Sequence, residues 1–502
     1  MTRSQRRIHM FLGIDLGTGS SKAVLTNSDG AILDTATITH QVSLPRPGWA
    51  EFDAENTWWA EVIGLCGELF ARNDPTRVAG VSISGMGPCL VVTDADYTPL
   101  RPAILYGIDT RAEQQIEDLN REFGEDAIYS TGGKVLSSQA VGPKLRWLAD
   151  QEPEVFAAAR HWFSCSSYLT AKLTGEYILD HHTASQCDPL YAVHRQDWIP
   201  ERADAIAGHI PMPALAWSTD IVGTVTDSAS ALTGIPAGTP VCAGTVDAWA
   251  EGFSAGVRIP GDLMLMYGST MFFVQVLADF HAHRQLWTTA GVEQGTLTLA
   301  GGMSTSGILI TWLAHLFGDA PMETLMAEAL DAGPGADGLL VLPYFAGERS
   351  PILDPDARGT IIGLTLRHGR GHLVRAALEG ICFGLRQSLE LFESSGQPIQ
   401  RILAVGGGTQ GTLWTQLVSD ILGRTQIIPE QTIGASYGDA LMAAIATGAV
   451  PPETDWTRMA RVVEPDPASA QQYDFLYEKY CQLYPATAGH MHALAKIQRG
   501  GA

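Results

Sequence analysis

Residues 11–22 read Phe-Leu-Gly-Ile-Asp-Leu-Gly-Thr-Gly-Ser-Ser-Lys. An apolar run ends in Asp15, and a turn of Gly, Thr and Ser closes on Lys22. Residues 23–25 and 31–37 then read as strands joined at Asp29-Gly30, a dipeptide that favours the tight turn of a β-hairpin. The first glycine turn therefore sits between strands. Familiar phosphate loops place their glycines where a helix begins, so that its N-terminal amides hold the anion, and that arrangement is excluded here. A hairpin turn of this composition would hold phosphate through its own amides, its hydroxyls and Lys22, with Asp15 facing a metal. A plain Gly-rich connection between strands fits the same residues.

Outward from this turn, strand and helix patterns alternate as in mixed α/β domains. Residues 78–84 read as a strand, 111–123 as an amphipathic helix and 142–150 as the start of another. Residues 240–246 form an apolar run that ends at Asp247, followed by a small-residue helical stretch to Gly256. Residues 257–262, with Pro260-Gly261, read as a boundary. Beyond it the opening pattern recurs: a strand over 263–267, the turn Gly268-Ser269-Thr270, and a strand over 271–276. Two domains, 1–256 and 257–502, facing a shared cleft are expected.

A third glycine cluster follows the strand 401–405: Gly406, Gly408 and Gly411 match G-x-G-x-x-G, and 413–422 reads as a helix. The next strand, 425–428, ends near Glu430, where a dinucleotide fold places its ribose-binding acid. An NAD site, a tight structural turn, and a nucleotide with its base and ribose at 406–412 and its phosphates at the other two turns all fit. Asp247 is the candidate for chemistry. Phosphoryl transfer to an alcohol needs positioning, charge neutralisation and a carboxylate to accept the hydroxyl proton. The competing role for Asp247 is to cap the helix that follows it.

Composition narrows the class. A chain of 502 residues exceeds what one core usually serves, and 45% apolar with 17% charged residues suits a soluble globular protein. A formal charge of -22 argues against nucleic acid and against anionic membranes as partners. Phosphates on a ligand must then be held locally by Lys, Arg, amides and a divalent cation. Seven scattered cysteines without C-x-x-C spacing fit reduced thiols. Arg3, Arg6 and Arg7 precede only a short apolar run containing Asp15, which is no signal peptide, and no stretch is long enough to span a bilayer. A cytoplasmic location is expected. His181-His182 with Cys187, and His281 with His283, lack a full zinc ligand set. Trp49, Trp58 and Trp59 read as packing residues rather than a sugar platform.

Taken together, these motifs resemble the FGGY carbohydrate kinases, of the actin-like (ribonuclease H-like) ATPase superfamily, from about residue 11 to 450. The family's C-terminal signature is met by Gly359, Ile361, Gly363-Leu364, His372-Leu373 and Ala376-Ala377-Leu378-Glu379. Before it, Gly347-Glu348-Arg349-Ser350-Pro351 and Asp354-Pro355-Asp356-Ala357-Arg358-Gly359 resemble the runs G-E-R-x-P and D-P-x-A-R-G. Gly48-Trp49-Ala50-Glu51 with Asp53 and Trp58-Trp59, and Pro143-Lys144-Leu145-Arg146-Trp147, fit the N-terminal half.

The resemblance implies two actin-like α/β domains with ATP and Mg2+ in the cleft between them, closure on a small sugar, and a homodimer. It assigns Asp247 as the base that deprotonates the sugar hydroxyl and Asp15 as the metal-holding acid. Thr18, Gly19, Ser20 and Lys22 fall on the first phosphate turn, and Gly268 and Thr270 on the second. Gly307 and Thr311 approach ATP from the other side, and Gly407, Gly408 and Thr412 match the adenosine loop. Departures concern the sugar. Glycerol kinases carry Arg-Glu where this chain has Gly87-Pro88, xylulose kinases carry Gln-Met-His where it has Met86-Gly87-Pro88, and Gly107 stands where a tryptophan is frequent. Met86, Gly87, Asp109, Gln139 and Asp247 are the candidate sugar contacts. Motif wording is nearest to xylulose kinases and points to a ketopentose such as D-xylulose, with another pentulose, polyol or sugar acid as the alternative. Two other classes stay in view, an NAD-dependent oxidoreductase and an actin-like chaperone or filament ATPase.

Overall fold

A computed structural model describes residues 9–394, 396–431 and 433–499; Arg3, Arg6 and Arg7 lie outside them. Two seven-stranded sheets carry the chain. The first contains β1 (Met10–Leu16), β2 (Ser20–Thr26), β3 (Ile32–Thr39), β4 (Val78–Gly85), β5 (Ile221–Thr224), β6 (Pro240–Cys242) and β7 (Thr245–Val246). Its order is β5-β6-β4-β1-β2-β3, with β7 also paired to β4. The second contains β8 (Asp262–Tyr267), β9 (Met271–Leu277), β10 (Trp287–Ala290), β11 (Leu297–Met303), β12 (Arg401–Val405), β13 (Gln426–Pro429) and β14 (Met459–Val463), in the order β10-β11-β9-β8-β12-β13-β14.

The repeat suggested by the two glycine turns is real at the level of topology. β1 pairs antiparallel with β2 and parallel with β4, and β8 pairs antiparallel with β9 and parallel with β12. Every residue of β1 is buried, so it shows a continuous apolar run rather than an alternating one, as a central strand covered on both faces should. The apolar run 240–246 differs from expectation. It divides into β6 and β7 at Gly244, which adopts φ 74°, a conformation that a side chain would disfavour.

Six helices matter for the site: α1 (Asp247–Ser254), α2 (Gly307–Leu316), α3 (Arg370–Ser394), α4 (Thr412–Leu422), α5 (Ala435–Ala446) and α6 (Ala470–Gln498). Helix α5, from late in the chain, lies against β1 and β4 of the first sheet and against α1. Gly13 permits this approach: a Cβ there would fall 1.9 Å from the Ser436 carbonyl oxygen and 2.5 Å from the Ala440 nitrogen. Around the contact, Phe11, Val246, Phe253, Met264, Leu403 and Leu441 join both halves in one apolar cluster. Polar ties reinforce it, because Tyr437 donates to the Gly30 carbonyl (2.7 Å) and the Ser84 N–H and hydroxyl donate to Asp439 (3.1 and 2.6 Å). Among the described residues no helix is long and apolar enough to cross a membrane, and the seven cysteines are free.

Substituting Gly13→Ala should therefore destabilise the protein by about 1–3 kcal/mol through overpacking of α5 on β1. Equilibrium denaturation checks this, and an unchanged midpoint contradicts the close approach.

Candidate active site

Register fixes which residues meet at the strand ends of the first sheet. Asp15 and Thr245 both stand beside Ser84, and Leu16 and Val246 both stand beside Gly85. Asp15 at the end of β1 and Asp247, one residue beyond β7, thus emerge at the same strand ends. Lys22 pairs with Asp15 across the β1–β2 hairpin. The intervening turn is tight: the Gly17 N–H donates to the Ser20 carbonyl (3.0 Å), and the Thr18 hydroxyl bonds the Tyr106 hydroxyl (2.9 Å). Gly19 is exposed, whereas Thr18, Ser20 and Lys22 are half-buried. Beneath the turn, His40 Nε2 reaches the Gly17 carbonyl (2.9 Å) while Nδ1 faces Glu61 (2.9 Å), which also accepts from Ser21 (2.5 Å).

The second turn is locked onto the start of α2. The Gly268 carbonyl accepts from the Gly307 N–H (3.0 Å), and the Ser269 carbonyl accepts from the Ser306 and Ile308 N–H groups (3.1 Å each). Thr270 is exposed; Thr311 is exposed and donates its hydroxyl to the Gly307 carbonyl (3.3 Å). The third cluster lies next to it, since β8 and β12 run parallel and their pairing ends at Met266 and Val405. A Cβ on Gly408 would sit 2.9 Å from both Tyr267 and Trp414. Gly407 and Thr412 are exposed beside it. These glycines do not open a helix as dinucleotide-binding glycines do: a short 3-10 turn over Gly407–Gln410 intervenes, and α4 starts only at Thr412.

Four carboxylates converge at the C-terminal ends of the central strands of the first sheet. Asp15, Asp247, Glu251 and Asp439 interact through their charges, with Lys22 as the opposing cation for Asp15 and Glu251. Burial, then the charges of Asp247, Asp439 and Glu251, hold the Asp15 carboxyl well above the usual range. Burial pushes Asp247 up to about 6, against the hydrogen bond that it accepts from the Ala248 N–H (2.7 Å). Asp247 therefore serves the first turn of α1 as well as the cleft. Burial and Asp247 push Glu251 up to about 7, and burial pushes Asp439 up to about 8. Asp15 Oδ1 is buried without a hydrogen-bond partner. Among the described residues no three His, Cys, Asp or Glu side chains form a group able to hold a metal ion by themselves. An orphaned carboxylate oxygen in an acidic surround fits a hard cation that keeps waters and takes its remaining ligands from phosphate oxygens.

The sugar-side loops are stitched together by Gln139. Its Oε1 accepts from the Gly107 N–H (3.0 Å), and its Nε2 donates to the Gly87 carbonyl (3.1 Å) and to Gln186 Oε1 (3.2 Å). Met86 and Gly87 are buried at this junction. Gln186 in turn bonds His182 Nε2 (2.8 Å), whose Nδ1 donates to the Ala290 carbonyl of β10 (2.8 Å).

Asp109 does not offer the free acceptor that its loop position suggests. Its side chain is 0% exposed, and its oxygens accept from the Ala50 N–H (2.7 Å) and from Arg111 Nε and NH2 (2.9 and 2.7 Å). Arg111 is also paired with Glu51 (2.8 Å) and lies over Trp49 (3.9 Å to the ring centroid). The acid therefore braces the loop wall. Trp58 and Trp59 are buried in the first-half core, as packing residues should be.

The sequence reading missed Glu251, Asp439, Tyr106 and Arg349. Glu251 was detectable, since it stands one helical turn beyond Asp247 on the same face. Asp439 was not, because only the long-range docking of α5 brings it to the cleft.

Comparison with known proteins shows the family and the fold. Residues 10–253 match the N-terminal domain and residues 263–447 the C-terminal domain of the FGGY family of carbohydrate kinases. The chain is 30% identical to the xylulose kinase of Escherichia coli (strain K12), over 87% of this chain and 90% of that protein. It is 26% identical to the gluconokinase of Bacillus subtilis (strain 168), over 97% and 98%. The crystal structure of xylulose kinase from Rhodospirillum rubrum superposes with a TM-score of 0.90 at 31% identity, covering 96% of this chain and 100% of that one.

Arg111→Met would leave the buried Asp109 carboxylate unpaired, and should cost about 3–5 kcal/mol of stability. Arg111→Lys should recover only part, because an ammonium cannot make the bidentate contact. Equal denaturation midpoints for all three proteins would contradict the bracing role.

Proposed function

Since the chain belongs to the FGGY family of carbohydrate kinases, and is an ATP-dependent kinase of a small sugar with a two-domain actin-like fold, we propose that it phosphorylates D-xylulose or a close ketopentose with Asp247 as general base. Family membership removes the dinucleotide oxidoreductase and filament ATPase alternatives. The observation that carries the proposal is the convergence of Asp247 and Asp15 at the ends of neighbouring strands, beside the Gly17–Gly19 turn. Similarity to named xylulose kinases supports the ketopentose. Similarity to a gluconokinase supports a sugar acid as the second reading.

In the proposed reaction the sugar hydroxyl gives its proton to Asp247, its oxygen forms a bond to the γ-phosphorus, and the bond from that phosphorus to the bridging oxygen of ADP breaks. The amides and hydroxyls of Thr18, Gly19 and Ser20, together with Lys22, hold the phosphates from the first half, and Gly268 and Thr270 from the second. Gly307, Thr311, Gly407, Gly408 and Thr412 line the nucleoside side. Mg2+, held by Asp15 through water, would neutralise phosphate charge. Met86, Gly87 and Gln139 shape the sugar wall, and Asp109 acts on it only through the Arg111 brace. Closing the two halves would exclude water and so suppress wasteful ATP hydrolysis. A cytoplasmic homodimer completes the proposal.

A screen for sugar-dependent ADP release over pentuloses, polyols, hexoses and sugar acids tests the reading. D-xylulose or a close ketopentose should give the highest kcat/KM, and a sugar acid in that place would favour the second reading. Asp247→Asn should lower kcat by about 10²–10⁴-fold while nucleotide binding persists; full activity in this variant would remove Asp247 from its role.

The same base predicts a pH profile. The carboxylate must be ionised to accept the proton, so kcat/KM should be full well above about 6, half at that value, and fall further as pH drops below it. A profile flat down to pH of about 4, the ordinary carboxylate range, would contradict the raised pKa.

A further inference from the structure

Arg349 stands on the second-half wall of the cleft, and the proposed reaction has not used it. Its position is fixed from behind: Glu348 Oε1 accepts from both the Ser304 N–H (2.6 Å) and the Arg349 N–H (2.8 Å). The guanidinium donates from NH2 to the Met303 carbonyl (3.2 Å) and lies 5.8 Å from the Trp287 ring centroid. Gly302 leaves it room, since a Cβ there would lie 3.1 Å from Arg349 NH2. Arg111, Arg258 and Arg375 are paired with carboxylates, whereas the half-buried Arg202 and Arg461 donate to carbonyl and hydroxyl oxygens. Among the described residues Arg349 has no carboxylate within ion-pair distance. The Glu348 charge acts on it from outside contact distance, so the half-buried guanidinium keeps donors free to meet an anion.

Its surroundings say where that anion would be. Trp287 lines a small cavity with Gln139 and Gln186, so the Arg349 wall stands opposite the sugar-side loops. Tyr106, which bonds Thr18 of the first phosphate turn, feels the charges of both Asp247 and Arg349. The guanidinium thus borders the space between the phosphate turn, the sugar loops and Asp247.

We propose that Arg349 binds the γ-phosphoryl group during its transfer to the sugar, and then the phosphate of the sugar-phosphate product. The proposal rests on the kinase reading of Asp247. During transfer, charge spreads over the equatorial oxygens of the phosphoryl group, and a planar, permanently charged guanidinium can bond two of them at once. Arg349 keeps its proton throughout; the proton from the sugar goes to Asp247. Because Arg349 comes from the half of the cleft opposite Thr18 and Asp247, its contact would reward closure only when the phosphoryl group is present.

Kinetics of the full-length protein with Arg349→Met and Arg349→Lys test this. Arg349→Met should lower kcat by about 10²–10³-fold, the loss expected when one transition-state donor is removed. Sugar KM should stay near the wild-type value, while the sugar-phosphate product should become a much weaker inhibitor. Arg349→Lys, a charge-keeping variant informative even where the methionine variant does not fold, should still lose at least about tenfold in kcat, because the two-point contact is gone. Wild-type kcat in either variant overturns the proposal. A raised sugar KM with unchanged kcat and product inhibition also overturns it, and would make Arg349 a sugar ligand. Absence of sugar-dependent ADP formation in the wild-type protein would overturn the kinase reading itself, and this proposal with it.

Discussion

The docking of α5 onto β1 is the contact on which the rest of the cleft depends. It requires a residue without a side chain at position 13, two positions before Asp15, and it brings Asp439 against Ser82 and Ser84 on the neighbouring strand. A helix encoded near the end of the chain thereby completes the first sheet, while α1, encoded before the boundary, packs against that same helix. The two halves are interlocked at the base of the cleft rather than merely adjacent. Interlocking of this kind leaves relative motion of the outer parts as the available route to closure.

Charge is the second organising constraint. A strongly acidic chain gathers four carboxylates, Asp15, Asp247, Glu251 and Asp439, beside the proposed phosphate turn, with Lys22 as a nearby counter-charge. Such a cluster resists ionisation because like charges and burial both favour protonated forms. The arrangement is unfavourable when empty and becomes compatible with phosphate only alongside a cation and amide donors. Burial at this place raises Asp247 to a value suited to a general base near neutral pH.

Much of this was legible in the sequence for local reasons. Strand–turn–strand around Asp15 and around Gly268 follows from apolar runs broken by glycine, and β1, β8, β12 and α4 appear within a residue or two of the expected spans. Position at a strand end was enough to single out Asp247. What escaped depends on distant parts of the chain meeting. Asp109 looked like a free loop acid, and only the fold shows Arg111, Trp49 and the Ala50 amide saturating it. Arg349 sat in plain view within the run Gly347–Pro351, yet nothing in the spacing says that it faces Trp287 and the cleft.

The central claim is that one cleft carries a phosphoryl group from ATP to a sugar hydroxyl without passing it to water. Phosphorus NMR of the protein with ATP, Mg2+ and D-xylulose, with D-gluconate in parallel, observes this transfer directly. The account predicts a phosphomonoester signal from the xylulose sample that grows in step with ADP, with little inorganic phosphate. Consumption of ATP to ADP and inorganic phosphate, with no phosphomonoester from either sugar, would contradict it.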